Sequence, residues 1–108
     1  MQVVISAICT QGPSIRQAIG DDNELEKFEL ILDSHKTPGR EPGWLKLRSA
    51  DQRRGAINVV WDSQANILTA RVVTRGTTRP SPIVGHFLNY LLTRHTRRLR
   101  AVTTAIVR

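Results

Sequence analysis

The 108-residue sequence contains a single cysteine, Cys9. One cysteine excludes an internal disulfide and any metal site built from several cysteines. Because Cys9 lies among hydrophobic residues, we expect it to be a small core residue. Long apolar segments are also lacking, since the run from Val3 to Cys9 is too short to span a bilayer and has no basic segment before it. The sequence therefore predicts a cytoplasmic protein without a membrane partner, a metal or a cofactor.

Signatures of catalysis and of common nucleic-acid-binding folds are missing as well. The histidines His35, His86 and His95 are not spaced as metal ligands at i and i+4. They would act as general acid and base only if the fold brought them together, and no carboxylate is spaced to orient them. The sequence also lacks an aromatic pair of the RNP type, a GXXG clamp and a lysine-rich helix that binds double-stranded RNA. These absences favour a non-catalytic protein and indicate no family.

Acidic residues are concentrated near the N-terminus. Residues 1–34 contain two bases and six acids, a net charge of −4, whereas residues 35–108 contain fourteen bases and three acids, a net charge of +11. From Arg71 onward there are eight arginines and no acid. A basic half of this kind attracts nucleic acid, another polyanion or an acidic protein surface. The alternative is a solvated basic surface without a ligand, because thirteen arginines against three lysines also fit a codon bias.

Hydrophobic periodicity predicts a single domain over residues 1–108. Alternating runs predict five strands, namely Leu25–Asp33, Trp44–Arg48, Ala56–Trp61, Ile67–Thr74 and Ala101–Val107, and the β-branched run Val3–Cys9 is either a further strand or a buried helical turn. A helical turn is expected over Ser14–Ile19, and residues 62–66 are typical of a hairpin loop. Strands clustered before one long helix favour an α+β two-layer sandwich, with a mainly antiparallel sheet of about five strands and a final strand after the helix.

The clearest predicted element is an amphipathic helix over about residues 82–97. Ser81 is expected to cap it and Pro82 to occupy its first position. Its apolar stripe consists of Ile83, Val84, Phe87, Leu88, Leu91 and Leu92, with Tyr90 at the edge and His86 on the opposite side. One helix covers only part of such a sheet. The N-terminal segment or a second subunit would cover the rest, so a homodimer is one alternative.

Both ends of this helix are candidate anion sites. The turn before it contributes Arg75, Thr77, Thr78, Arg79 and Ser81 beside free backbone N–H groups, and His86 lies just over one turn inside the helix. The C-terminal end contributes Arg94, Arg97, Arg98 and Arg100, which can neutralise several phosphates. Cations at a helix C-terminus are also favoured by the dipole without any ligand. The N-terminal turn is therefore the more informative of the two sites.

A third candidate is the sheet face that points away from the helix. Alternation places Lys46, Arg48, Asn58, Thr69 and Arg71 on it, with Trp44 as a platform on which a base would stack. The favoured interpretation is a small basic protein that binds RNA or DNA through its arginine-rich C-terminal half. The alternatives are a protein-interaction or homodimerisation module, and a phosphate-ligand binding protein or enzyme that uses residues 75–81 and His86.

Overall fold

The structure is a computed structural model that describes residues 1–34, 44–50 and 55–108. The basic residues predicted to lie in loops, His35, Lys36, Arg40, Arg53 and Arg54, lie outside the described residues. The strands are β1 (Gln2–Cys9), β2 (Leu30–Ser34), β3 (Leu45–Ser49), β4 (Gly55–Asp62), β5 (Ile67–Thr74) and β6 (Leu99–Val107). The helices are α1 (Ile15–Gly20) and α2 (Ser81–Arg94), with 3₁₀ turns over Leu25–Phe28 and Thr96–Arg98.

All six strands form one antiparallel sheet in the order β2-β3-β4-β5-β1-β6. The predicted α+β class, the main helix on the sheet and the strand after it are confirmed. The N-terminal segment is a strand and lies between β5 and β6, with Ile5 paired to Ala70 on one side and to Thr104 on the other. It therefore extends the sheet instead of covering a face, and β6 becomes an edge strand.

The core lies between α2 and the sheet. Alternate residues of the central strands face the helix and are fully buried, as the period-two pattern of the β4–β5 hairpin predicted. The core consists of these strand residues and the buried residues of the other elements. Its members are Val3, Ile5, Ala7, Cys9, Ile15, Ile19, Leu25, Leu30, Leu45, Leu47, Ile57, Val59, Leu68, Ala70, Val72, Ile83, Phe87, Tyr90 and Leu91. Strand β6 contributes little, because most of its side chains are exposed.

The predicted strand over Leu25–Asp33 is wrong in its first half. Leu25–Phe28 form a 3₁₀ turn, and β2 begins only at Leu30. Glu29 has a left-handed backbone with φ of 62°, which ends the turn and redirects the chain into the sheet. The turn is favoured because Phe28 then packs edge-on against Tyr90 of α2, with ring centroids 5.4 Å apart.

Helix α2 begins one residue earlier than predicted and buries a different face. Pro80, not Ser81, is the N-cap, because the Val84 N–H donates to the Pro80 carbonyl at 2.9 Å. Tyr90, expected at the edge of the apolar stripe, is 0% exposed, whereas Leu92 is 55% exposed. The buried face is thus rotated by roughly 60° from the predicted one, at 100° per residue. None of the described helices is long and apolar enough to cross a bilayer.

Candidate anion-binding surface

The register of the sheet brings arginines from three segments to one end of the molecule. Arg48 pairs with Ala56, which pairs in turn with Val73, so the last residues of β3 and β5 lie in the same row. Arg71 lies two residues back along β5, and Arg75 and Arg79 follow in the connection to α2. All four arginines are exposed, and none has a carboxylate partner among the described residues. We call Arg48, Arg71, Arg75 and Arg79 the basic end.

The sheet face that points away from α2, which we call the open face, adjoins the basic end. Lys46 pairs with Asn58 and Asn58 with Arg71, so these side chains form a row across three strands. The prediction that Lys46, Arg48, Asn58, Thr69 and Arg71 share a face is therefore confirmed. The Lys46 ammonium lies 3.3 Å from the Asp33 carboxylate, and the Arg71 guanidinium donates to Gln2 Oε1 at 2.7 Å. Lys46 is thus partly neutralised, whereas Arg71 keeps its full charge.

The tryptophan predicted as a stacking platform, Trp44, is not available to a base because it is buried. Trp44 precedes β3 and is 6% exposed, buried like its neighbour Leu45. The predicted stacking role is therefore wrong, since a ring with 6% of its surface exposed cannot stack on a base. Among the described residues, the paired strand positions of the open face contribute no aromatic side chain. This surface would therefore bind a ligand through its positive charge and not through stacking.

The turn before α2 is poorer in backbone donors than the sequence suggested. Gly76 adopts a φ of 61°, and the Thr78 N–H donates to the Arg75 carbonyl at 3.2 Å, which closes the turn. A helix normally begins with four free N–H groups. Here Pro80 and Pro82 have none, so only the amides of Ser81 and Ile83 remain, and no side chain caps them.

The hydroxyl groups and the histidine predicted for this turn are dispersed around it. Thr77 and Ser81 are exposed and Thr78 is half-buried. His86 is also half-buried and lies about 7.5 Å along the helix axis from Ser81. Its Nδ1 is buried without a hydrogen-bond partner among the described residues. Because His86 shares a helix face with Tyr90 four residues later, it is directed to the side of α2, not along its axis toward the turn.

The second predicted arginine group lies at the opposite end of α2. The helix has 14 residues, so its two ends are about 21 Å apart. Two of its members are used within the fold: Arg94 binds Asp22, and Arg98 donates to the Thr10 hydroxyl at 3.2 Å and to the Thr10 carbonyl at 3.1 Å. The other two, Arg97 and Arg100, are exposed. The arginines of the C-terminal half therefore form two separate groups.

A polar cluster that was not predicted from the sequence joins the N-terminal segment to the end of α2. The hydroxyl of the fully buried Tyr90 donates to Asp22 Oδ2 at 2.8 Å, and His95 Nε2 lies 3.0 Å from the same hydroxyl. Arg94 donates to both carboxylate oxygens of Asp22, at 3.2 and 3.1 Å, and the Glu24 amide donates to Oδ1 at 2.9 Å. No motif signals this cluster, because Asp22 and Tyr90 are 68 residues apart in sequence.

The electrostatics of the cluster indicate a structural role. Burial alone would raise the pKa of Asp22, but the hydrogen bonds from Arg94, the Glu24 amide and Tyr90 outweigh it and hold the pKa below its usual value. Burial also lowers the pKa of His95 and, together with Asp22, raises that of Tyr90. Asp22 accepts four hydrogen bonds, and its side chain is 5% exposed. It is therefore saturated and has no free lone pair with which to act as a general base.

Among the described residues, no group of three or more His, Cys, Asp and Glu side chains is arranged to hold a metal ion. Comparison with protein families, curated proteins and solved structures finds no match to this chain. Functional inference therefore depends on the geometry of the surface alone.

Proposed function

We propose that this protein is a cytoplasmic, non-catalytic binding protein that takes up nucleic acid through the basic end. The observation that supports this most directly is the register of β3, β4 and β5, which gathers Arg48, Arg71 and Arg75 at one end of the sheet face that points away from α2. Arg79 and the N-terminal end of α2 add positive potential beside them. Exposed guanidinium groups of this kind bind phosphate oxygens in a bidentate manner.

The proposed ligand is the phosphate backbone of nucleic acid and not a particular base sequence. Arg48 and Val73 are separated by two strand spacings, about 10 Å, so guanidinium groups on these strands reach different phosphates of one strand. Without an exposed aromatic ring among the described residues of this face, stacking does not contribute. Four arginines on four phosphates of duplex DNA correspond to a slope of log K against log salt concentration of about −3.6.

Fluorescence anisotropy with a labelled mixed-sequence duplex, titrated at several salt concentrations, tests the proposal. The variant Arg75→Ala/Arg79→Ala should weaken binding and reduce the magnitude of the salt slope by about two. The matched control is Arg97→Ala/Arg100→Ala, which also removes two exposed arginines, but from the opposite end of α2. It should retain most of the wild-type affinity and slope.

Three outcomes would contradict this proposal. Absence of binding at low salt would exclude a polyanion ligand. Equal weakening in both variants would show that the chain attracts polyanions through its overall charge, without a site at the basic end. A preference for single-stranded over duplex DNA would not fit either, because the described residues of the open face present no exposed ring to unpaired bases.

A second candidate function is protein interaction, including homodimerisation. The observation that favours it is the exposure of strand β6, whose Ile106 is 58% exposed and whose outer edge has no neighbour among the described residues. Edge strands of this kind pair with other chains unless something covers them.

A further inference from the structure

Strand β6 has nine residues and is an exposed edge without the usual protection. Natural edge strands are kept from pairing by short length, proline, inward-pointing charge or a bulge. β6 contains no proline, and its only irregularity lies at its start, opposite Ile8 and Cys9. Its side chains from Ala101 to Val107 are all small or β-branched and carry no charge. Such a strand is suited to accept another strand along its outer edge.

An apolar groove lies beside this edge, between β6 and α2. Its volume is about 540 Å³, and its apolar walls are formed mainly by Leu88, Leu92, Leu99 and Val102. Tyr90 lies on the buried face of α2, whereas Leu92 lies at the groove and is 55% exposed. A strand added to β6 would direct every second side chain into this groove.

The charge around the groove indicates the nature of the occupant. Arg100 borders the groove, Arg108 follows the last residue of β6, and both are exposed. No acidic residue occurs anywhere in residues 63–108. The added strand should therefore be apolar in its centre and acidic at its ends.

One symmetric pairing of two copies at this edge brings like charges together. If two β6 strands paired antiparallel with Thr103 opposite Thr103, Arg100 would face Ile106 of the second copy. Arg100 would then also lie diagonal to the second copy's Arg108, on the same side of the sheet. The pair of β6 strands would contain two such like-charge contacts and no opposite charge, which disfavours this pairing.

From the edge, the groove and the charge together, we infer that β6 is the docking site for an extended acidic segment of a partner protein, which adds to the sheet as a seventh strand. Main-chain hydrogen bonds to β6 supply affinity. Alternate apolar side chains in the groove and terminal acidic groups near Arg100 and Arg108 supply selectivity. This inference is independent of nucleic-acid binding at the basic end.

The probe for this site is the nine-residue peptide Ac-ETVTVTVTE-NH2, whose valines and terminal glutamates lie on one face of a strand. Binding is followed by amide shifts and hydrogen exchange of ¹⁵N-labelled protein. We expect protection of alternate β6 amides, those that point outward and exchange rapidly in the free protein. Ac-KTVTVTVTK-NH2 and Ac-ETVTPTVTE-NH2, which reverse the charge and interrupt the strand, should each bind at least about tenfold more weakly.

Two protein variants make the test specific. Leu92→Glu adds a charge to the groove at an exposed position, and we expect the glutamate-ended peptide to lose about tenfold in affinity. Arg100→Glu should reverse the preference, so that the lysine-ended peptide binds more tightly than the glutamate-ended one. Both positions are exposed, so neither variant should impair folding, which circular dichroism verifies.

Several results would overturn the inference. Equal binding of the proline-containing peptide would show charge attraction without strand addition. Unchanged preference in Arg100→Glu would exclude the proposed orientation. Sedimentation that reveals a salt-resistant dimer, abolished by Leu92→Glu, would identify a second copy as the occupant in place of an acidic partner. Protection of the same β6 amides by duplex DNA would assign the edge to nucleic acid.

Discussion

Replacing Tyr90 by phenylalanine tests the polar cluster that holds the N-terminal segment against α2. The substitution removes one hydroxyl and keeps the ring, which stays in contact with Phe28 and Phe87 at centroid distances of 5.4 and 6.3 Å. The hydroxyl is fully buried and has a single proton, which it donates to Asp22 at 2.8 Å. The His95 Nε2 at 3.0 Å must therefore carry a proton and donate to the hydroxyl oxygen.

The size of the effect follows from these contacts. A hydrogen bond to an ionised group contributes about 1.5–3 kcal/mol. Asp22 retains its bonds from Arg94 and the Glu24 amide, so its carboxylate is not left unpaired, whereas the half-buried His95 loses its partner. We expect the free energy of unfolding to fall by about 2 kcal/mol. For a domain of this size, that is a decrease of roughly 8 °C in Tm.

Urea denaturation followed by circular dichroism measures this difference, and the m value should not change. The matched control is Thr93→Val, which removes an exposed hydroxyl from the same helix without altering side-chain shape and should stay within about 0.5 kcal/mol of wild type. A double-mutant cycle with Asp22→Asn should give a coupling energy of about 1–2 kcal/mol. A loss below about 0.5 kcal/mol in Tyr90→Phe, or strict additivity in the cycle, would refute the reasoning.

Two further stability predictions follow from the same structure. Burial lowers the pKa of His95, so the unfolded chain binds the proton more readily than the folded one. The free energy of unfolding should therefore decrease as pH falls below about 6.5. Urea titrations of wild type and His95→Gln at several pH values measure this decrease, and an equal pH dependence in both would contradict it. Gly55→Ala should cost about 1–3 kcal/mol, because its Cβ would lie 2.5 Å from Ile83 Cδ1 and 3.2 Å from the Val73 carbonyl oxygen. The control Gly85→Ala, with no neighbouring atom within 4 Å, should instead raise the free energy of unfolding by about 0.5–1 kcal/mol; equal effects in the two would contradict the close packing at Gly55.

The candidate surface was partly predictable from the sequence. Arg75 and Arg79 immediately precede a helix with a clear start, so their position at its N-terminal end followed from chain order alone. Their proximity to Arg48 depends on the pairing of β3 with β4, which is set by the cores of both strands and not by the arginines. The sequence likewise could not show that Arg94 and Arg98 form hydrogen bonds within the fold while Arg97 and Arg100 stay exposed. Their partners, Asp22 and Thr10, lie more than 70 residues away.

Local patterns in the sequence determined the α+β class, the β4–β5 hairpin, the main helix and the final strand. Each of these depends on spacing within about ten residues, where periods of two and 3.6 decide which side chains share a face. The sequence also determined the charge asymmetry, because it contains no acid after Asp62. These features come from properties that a short segment has on its own.

Only the tertiary structure decided which face α2 buries. By spacing alone, Leu92 belongs to the apolar stripe and Tyr90 to its edge, yet Tyr90 is fully buried and Leu92 is exposed. The physical reason is a long-range contact: Phe28 and Asp22 together offer Tyr90 a ring partner and a buried acceptor, which Leu92 cannot use. Leu92 is left exposed beside β6, which is an edge strand because β1 lies between it and β5.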